Sequence, residues 1–154
     1  MAIETSFKDL KKEYNKKSIR RFNDMSDRFK DSSNVKGNPI LYTVYVKDFV
    51  TFEVALTVLE PGNINGEYFM TKGHRHVKPR EEIYILTSGK GKLIIQNGKN
   101  SKVVEMKKDF VYTVPARAGH RAVNTGKAKM EFLSIYSKDA GHDYNFKFGR
   151  RVFN

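Results

Sequence analysis

Residues 71–88, TKGHRHVKPREEIYILTS, combine two histidines, a turn and an alternating apolar run. His74 and His76 stand two apart, and in an extended strand positions i and i+2 point the same way, so their imidazoles face one point. Lys78 and Pro79 supply a tight turn, after which Glu82 opens the run IYIL and its carboxylate returns beside the pair. Glu81 is the rival carboxylate, but only Glu82 shares the parity of Tyr84. Tyr84 therefore belongs on Glu82's face, and Ile83 and Ile85 are expected on the core side.

The texture on either side is that of short strands. ILYTVYV, VTFEVALTVL, KLIIQ, KVVEM, FVYTV and MEFLSIYS are rich in β-branched and aromatic residues, and EPGNING, TSGKG, QNGKN and NTGKA separate them as turns. No long helical crossover lies between these runs, which argues against a parallel α/β fold. Antiparallel closure into a jelly roll or barrel removes the sheet edges, so the expected fold is all-β with two antiparallel sheets. The first thirty-odd residues differ, with Phe7, Leu10 and Tyr14 at i, i+3 and i+7. Residues 1–35 are expected to form an N-terminal arm or short helix packed on the body, and residues 36–154 the single barrel domain.

The 154 residues suffice for one domain, and no apolar run approaches the roughly 18 residues of a membrane span. The start, MAIETSFKDLKKEY, lacks the pattern of a secretory signal, so a soluble, cytoplasmic protein is expected. Cysteine is absent, which removes disulfides, thiolate metal sites and cysteine nucleophiles and leaves histidine and carboxylate as the strong metal ligands. Twenty-nine Lys and Arg against seventeen Asp and Glu give a net charge of +12, which attracts phosphates on nucleic acid or on a small metabolite. Many positive charges fall in the first forty residues, in KKEYNKKSIRRF and DRFK, where alternation with acids and polar residues reads first as a solvated face.

The chain has four histidines: His74, His76, His120 and His142. A lone histidine such as His142 is more often a hydrogen-bonded structural residue than a ligand. His74, His76 and Glu82 on adjacent strands, joined by His120 from a third, suit a divalent first-row metal with open positions. Five residues separate His76 from Glu82 and six separate Glu82 from Gly89, and Pro115 is followed five on by His120 and four later by Asn124. That spacing resembles the two-part signature of the cupins, β-barrels that use three His and one Glu around a metal. Gly66 is displaced from the glycine usually found ahead of the histidines, and Asp109 and Arg117 stand where glycine is common.

A narrower resemblance covers about residues 16 to 150. KKSIRRFNDM, NPILYTVY, TVLEPGNINGEYFMTKGHRH, EIYILTSGKGKLIIQ, VYTVPARAGHRAVNTG and FLSIYSKDAGHDY are similar to the archaeal-type, or cupin, glucose-6-phosphate isomerases. The resemblance implies a cupin jelly-roll β-barrel that interconverts glucose 6-phosphate and fructose 6-phosphate, a step of glycolysis and gluconeogenesis. It implies one divalent metal ion per subunit on His74, His76, Glu82 and His120, iron first, with Mn, Ni, Zn or Co also suited. Tyr42, Thr57, Thr71, Gly73, Tyr84 and Tyr136 would bind the sugar phosphate, and Glu82, His142 and Tyr144 would be catalytic. It further implies a homodimer. Two departures are visible: the interval between His76 and Glu82 is one residue shorter than the family's, and Asn145 replaces the glycine after AGHDY. Thr71 lies on the opposite parity from His74, so it reaches the pocket only if the strand bends near Gly73.

The residues leave open proton transfer by Glu82 or a metal-guided hydride shift, and assistance to ring opening or plain positioning by His142. The same ligands also serve other cupin enzymes, such as a dioxygenase or an isomerase of another sugar phosphate, and a non-catalytic binding module is the third alternative. Against the latter, no RNP-like or helix-turn-helix pattern is present to take nucleic acid, and no membrane partner is expected.

Overall fold

A computed structural model describes residues 4–154. Among the described residues thirteen strands follow in order: β1 (Lys16–Arg21), β2 (Ile40–Asp48), β3 (Phe52–Leu59), β4 (Asn63–Ile64), β5 (Glu67–Tyr68), β6 (Arg75–His76), β7 (Glu82–Ser88), β8 (Gly91–Asn97), β9 (Asn100–Met106), β10 (Val111–Val114), β11 (Gly119–Asn124), β12 (Met130–Ser137) and β13 (His142–Asp143). Every strand-like run in the sequence has become a strand. Six of the strands form one antiparallel sheet in the order β1-β2-β3-β12-β7-β10, and β11-β8-β9 form the facing sheet. Bridges Met70↔Val123 and His74↔His120 lay the segment before and into β6 along the free edge of β11. The result is a jelly roll of two antiparallel sheets, as the sequence leads one to expect.

Register across the large sheet stacks side chains in rows. Tyr136 on β12 lies opposite both Glu53 on β3 and Glu82 on β7, and the next row aligns Ala55, Ser134 and Tyr84. Leu59, Leu93, Met130, Phe132 and Ala122 join the main core between the sheets. Alternation along β7 buries Glu82, Tyr84 and Leu86 and leaves Ile83 and Ile85 half-buried on the outer face. This reverses the expectation for the two isoleucines. Ile85 instead packs on a small outer cluster of Leu10, Leu56 and Leu133, because the polar residue, not the apolar one, marks the inside of this barrel.

The helical spacing of Phe7, Leu10 and Tyr14 yields a single 3₁₀ turn, Asp9–Lys11, that buries Leu10. The next residues form β1, paired with β2 along its length, so part of the arm is the edge of the large sheet. Two further 3₁₀ turns, Phe22–Asp24 and Ser26–Arg28, bring Phe22, Met25 and Phe29 onto the core. Asp109 and Arg117 take left-handed φ values of 67° and 65°, the conformation that explains glycine's frequency at those places and that costs a residue with a Cβ roughly 1–2 kcal/mol. Among the described residues no helix is long and apolar enough to cross a membrane.

Truncating Leu59, which is 0% exposed, should lower unfolding free energy by roughly 2–5 kcal/mol in Leu59→Ala. Val50→Ala, at a residue 95% exposed, should stay within about 0.5 kcal/mol of the parent in the same denaturant titration.

Candidate metal centre and pocket

The centre is assembled by pairing between short strands. His120 N–H donates to the His74 carbonyl (2.8 Å), and His74 N–H to the His120 carbonyl (3.2 Å), which sets the two rings side by side. After His76 the chain turns through Pro79, closed by Arg80 N–H donating to the Lys78 carbonyl (2.8 Å), and β7 begins at Glu82. The expected turn is there. The β13 pairing places His142 opposite His76. Just ahead, Gly73 takes φ 73°, and a Cβ on it would lie 2.7 Å from the Phe148 ring and 2.9 Å from Arg121 Cβ. This bend lets Thr71 reach the pocket despite its opposite parity.

His74, His76, Glu82 and His120 each offer a ligand atom, and all four atoms lie within 4.8 Å of one another. Glu82 Oε2 is 2.8 Å from His120 Nε2, 3.0 Å from His76 Nε2 and 3.6 Å from His74 Nε2. Two rings have their protonation on Nδ1 fixed by partners that only accept: His76 Nδ1–H donates to the Arg80 carbonyl (2.8 Å) and His120 Nδ1–H to the Ala118 carbonyl (3.0 Å). A neutral ring so anchored turns the Nε2 lone pair toward a carboxylate that also has only lone pairs to offer. Nε2 of His74 and of His76 are buried without a hydrogen-bond partner. A cation at their meeting point satisfies all of these atoms at once, and three imidazoles with one carboxylate are a donor set for a divalent first-row metal. The residues fit the group.

Electrostatics agree. Burial by itself pushes the Glu82 carboxyl up, but the imidazoles of His120, His74 and His76 around it outweigh burial and hold the group well below the usual carboxylate range. Burial pushes the His74 imidazole down to about 3, and burial also lowers His142, so both rings are neutral at pH 7. Arg80, whose carbonyl anchors His76, is itself clamped by Asp139 through Nε and Nη2, both at 2.9 Å.

Beside the cluster opens a cavity of about 100 Å³. Its walls include every residue the sequence singled out except His76, which stands behind the others. Thr57 comes from β3, Tyr84 from β7, Tyr136 from β12, and His142 and Tyr144 from the segment that closes the end. The His142 ring lies edge-on to His74 (4.3 Å between centroids) and to Tyr136 (5.3 Å). Tyr42 OH accepts from the Lys72 N–H (3.3 Å) and Thr71 Oγ1 from the Ala122 N–H (3.0 Å), so each hydroxyl retains its own proton to donate. Burial pushes the phenols of Tyr42, Tyr84 and Tyr136 up, so these too remain donors.

Two polar residues near this site were missed from sequence. Ser134 lines the pocket from β12, in phase with Phe132 and Tyr136, a parity that MEFLSIYS already displays. Glu53 is buried beside Tyr136 and held by Lys16 Nζ (2.8 Å), a long-range pair that nothing local announces.

Residues 1–151 match the family described as Glucose-6-phosphate isomerase (GPI). The glucose-6-phosphate isomerases of Thermococcus litoralis and Pyrococcus furiosus are each 40% identical over 140 residues, covering 84% of this chain and 74% of theirs. A putative glucose-6-phosphate isomerase 2 of Rhizobium meliloti is 30% identical over 141 residues, covering 82% of this chain and 70% of its own. Among solved structures, the oxalate decarboxylase of Lactobacillus farciminis shares the fold at TM-score 0.55 and 22% identity, covering 67% of this chain and 30% of that one. An oxalate decarboxylase of Bacillus subtilis does so at TM-score 0.53 and 25% identity, covering 73% and 28%.

Equilibrium dialysis against Mn²⁺ or Zn²⁺ should load about one ion per chain. His76→Ala and Glu82→Ala should each weaken loading at least about a hundredfold, whereas His142→Ala should leave the stoichiometry intact.

Proposed function

This chain belongs to the glucose-6-phosphate isomerase family, and we propose that it interconverts glucose 6-phosphate and fructose 6-phosphate at a divalent metal held by His74, His76, Glu82 and His120. The observation that carries this reading is the convergence of three imidazole Nε2 atoms on one buried carboxylate, beside a cavity walled by hydroxyl groups. A dioxygenase handling an apolar substrate has little use for such walls. Iron is the first candidate metal, and a cytoplasmic enzyme is proposed.

Tyr42, Thr57 and Thr71 donate O–H groups to the phosphate, and Gly73 brings its backbone close because no side chain intervenes. Tyr84 and Tyr136 hold sugar hydroxyls, and Ser134 joins them from the same wall. Tyr144, 39% exposed, stands at the mouth of the pocket, where it closes on the bound hexose phosphate. A bound cation supplies positive charge that stabilises negative charge developing on the sugar oxygens. Glu82 meets the three rings through Oε2, which leaves Oε1 to carry a proton between C1 and C2 of the opened sugar. His142, neutral and next to Tyr144, assists ring opening.

The outer face of the large sheet supports a homodimer. Tyr45, Val54 and Ile85 are half-buried there, and Phe7, Phe49, Phe52 and Val111 are exposed.

A coupled assay for glucose 6-phosphate formed from fructose 6-phosphate tests the reading. Chelator should abolish turnover and added Fe²⁺ or Mn²⁺ should restore it. Glu82→Gln should lose at least about a hundredfold in kcat. Metal loading without turnover would overturn the isomerase assignment. In D₂O, incorporation of deuterium into product is expected for transfer through Glu82, and product free of deuterium would instead indicate a hydride shift. Sedimentation of the protein as a monomer at micromolar concentration would refute the dimer.

A further inference from the structure

Behind β11, on the side away from the metal ligands, cations outnumber their partners. Arg121 follows His120 and so points out of the pocket. It is 3% exposed, yet among the described residues it makes no ion pair. Its Nη2 donates to the Lys72 carbonyl (2.9 Å), its Nη1 to the Met70 sulfur (3.0 Å), and its buried Nε has no partner. The Phe148 ring covers the guanidinium at 4.1 Å. Arg28 arrives from the 3₁₀ turn Ser26–Arg28 and donates through Nη1 to the Phe146 carbonyl (3.4 Å). Its Nε is also buried without a hydrogen bond, although Asp27 Oδ2 lies 3.2 Å away. Arg151 completes the group, with Nη1 donating to Glu67 Oε1 (2.9 Å) and to the Arg28 carbonyl (3.0 Å).

These residues and Lys147 surround a cleft of about 190 Å³. Glu67, the buried carboxylate nearby, is already engaged by Arg151 and by the Lys30 N–H (2.7 Å), and Asp27 is largely exposed. Burial pushes the Arg121 guanidinium down to about 10, opposed by Glu67 and reinforced by the like charges of Arg151 and Arg28, so it stays cationic at neutral pH. A buried cation without a counter-charge is costly, and a planar guanidinium with free N–H groups matches tetrahedral oxyanions in geometry and charge.

We propose that this cleft is a second anion site that takes a phosphate-class oxyanion, with Arg28 and Arg121 as its buried donors and Lys147 at its rim. It is separated from the sugar phosphate pocket by β11 and does not depend on the isomerase reading. It also gives a purpose to Arg28 of the DRFK segment, which the sequence alone presents as part of a solvated face.

Nitrogen-15 NMR of the arginine side chains tests it with inorganic phosphate as the probe and chloride at matched ionic strength as the control. The Nε–H signals of Arg28 and Arg121 should shift saturably with phosphate and not with chloride. Lys147→Gln should raise the midpoint about three- to fivefold and Arg28→Gln at least about tenfold, while Thr57→Val, which alters only the pocket, should leave it unchanged. Absence of a saturable shift, the same shift with chloride, or a midpoint unaffected by Lys147→Gln would overturn the proposal. Lys147 is exposed, so its variant tests the site even if Arg28→Gln fails to fold.

Discussion

A carboxylate 2% exposed and faced by three imidazoles is the constraint on which this molecule turns. Buried charge is costly unless it is paired, and removal of one partner from such a pair typically costs about 3–5 kcal/mol. Here the partners are fixed from outside: backbone carbonyls of Arg80 and Ala118 hold two rings, and Asp139 holds Arg80 in turn. The rings therefore keep their Nε2 atoms turned inward toward the carboxylate. Such a donor set is one that suits a divalent cation.

The strands were legible because each combines β-branched and aromatic residues with glycine- or asparagine-bearing turns. The centre was legible because two-residue and turn spacings fix which side chains share a face, and His74, His76, Glu82 and His120 do converge. Ile83 and Ile85 misled because apolar residues are read as inward, while in β7 the inside is the polar site. The N-terminal segment misled for another reason. Only Leu10 of the helically spaced residues is buried, and pairing with β2 overrides the local period after one turn. Glu53 and the arginines behind β11 depend on contacts between residues far apart in sequence, which no local pattern records.

The strongly basic balance is not spread uniformly in consequence. Some of it is the solvated surface that the sequence suggests, with exposed pairs such as Lys78 and Arg80 on Asp139. Another part is drawn inward behind β11, where Arg121 is buried on a carbonyl, a sulfur and an aromatic face, beside Arg28 and Arg151, which have Asp27 and Glu67 within reach. Around the metal centre itself the pocket lining is mostly uncharged hydroxyl and aromatic groups. The hydroxyls and backbone of the pocket and the surplus of cations behind β11 are the two places proposed to take phosphate, by two different chemistries.

Nitrogen-15 NMR of histidine-labelled protein titrated with Zn²⁺ tests the account's core most directly. Nε2 of His74, His76 and His120 should shift together and saturate at one equivalent, while both nitrogens of His142 keep the pattern of an unligated neutral ring. A shift at His142 in place of any of the three, or no saturable change at Nε2, would contradict the metal centre.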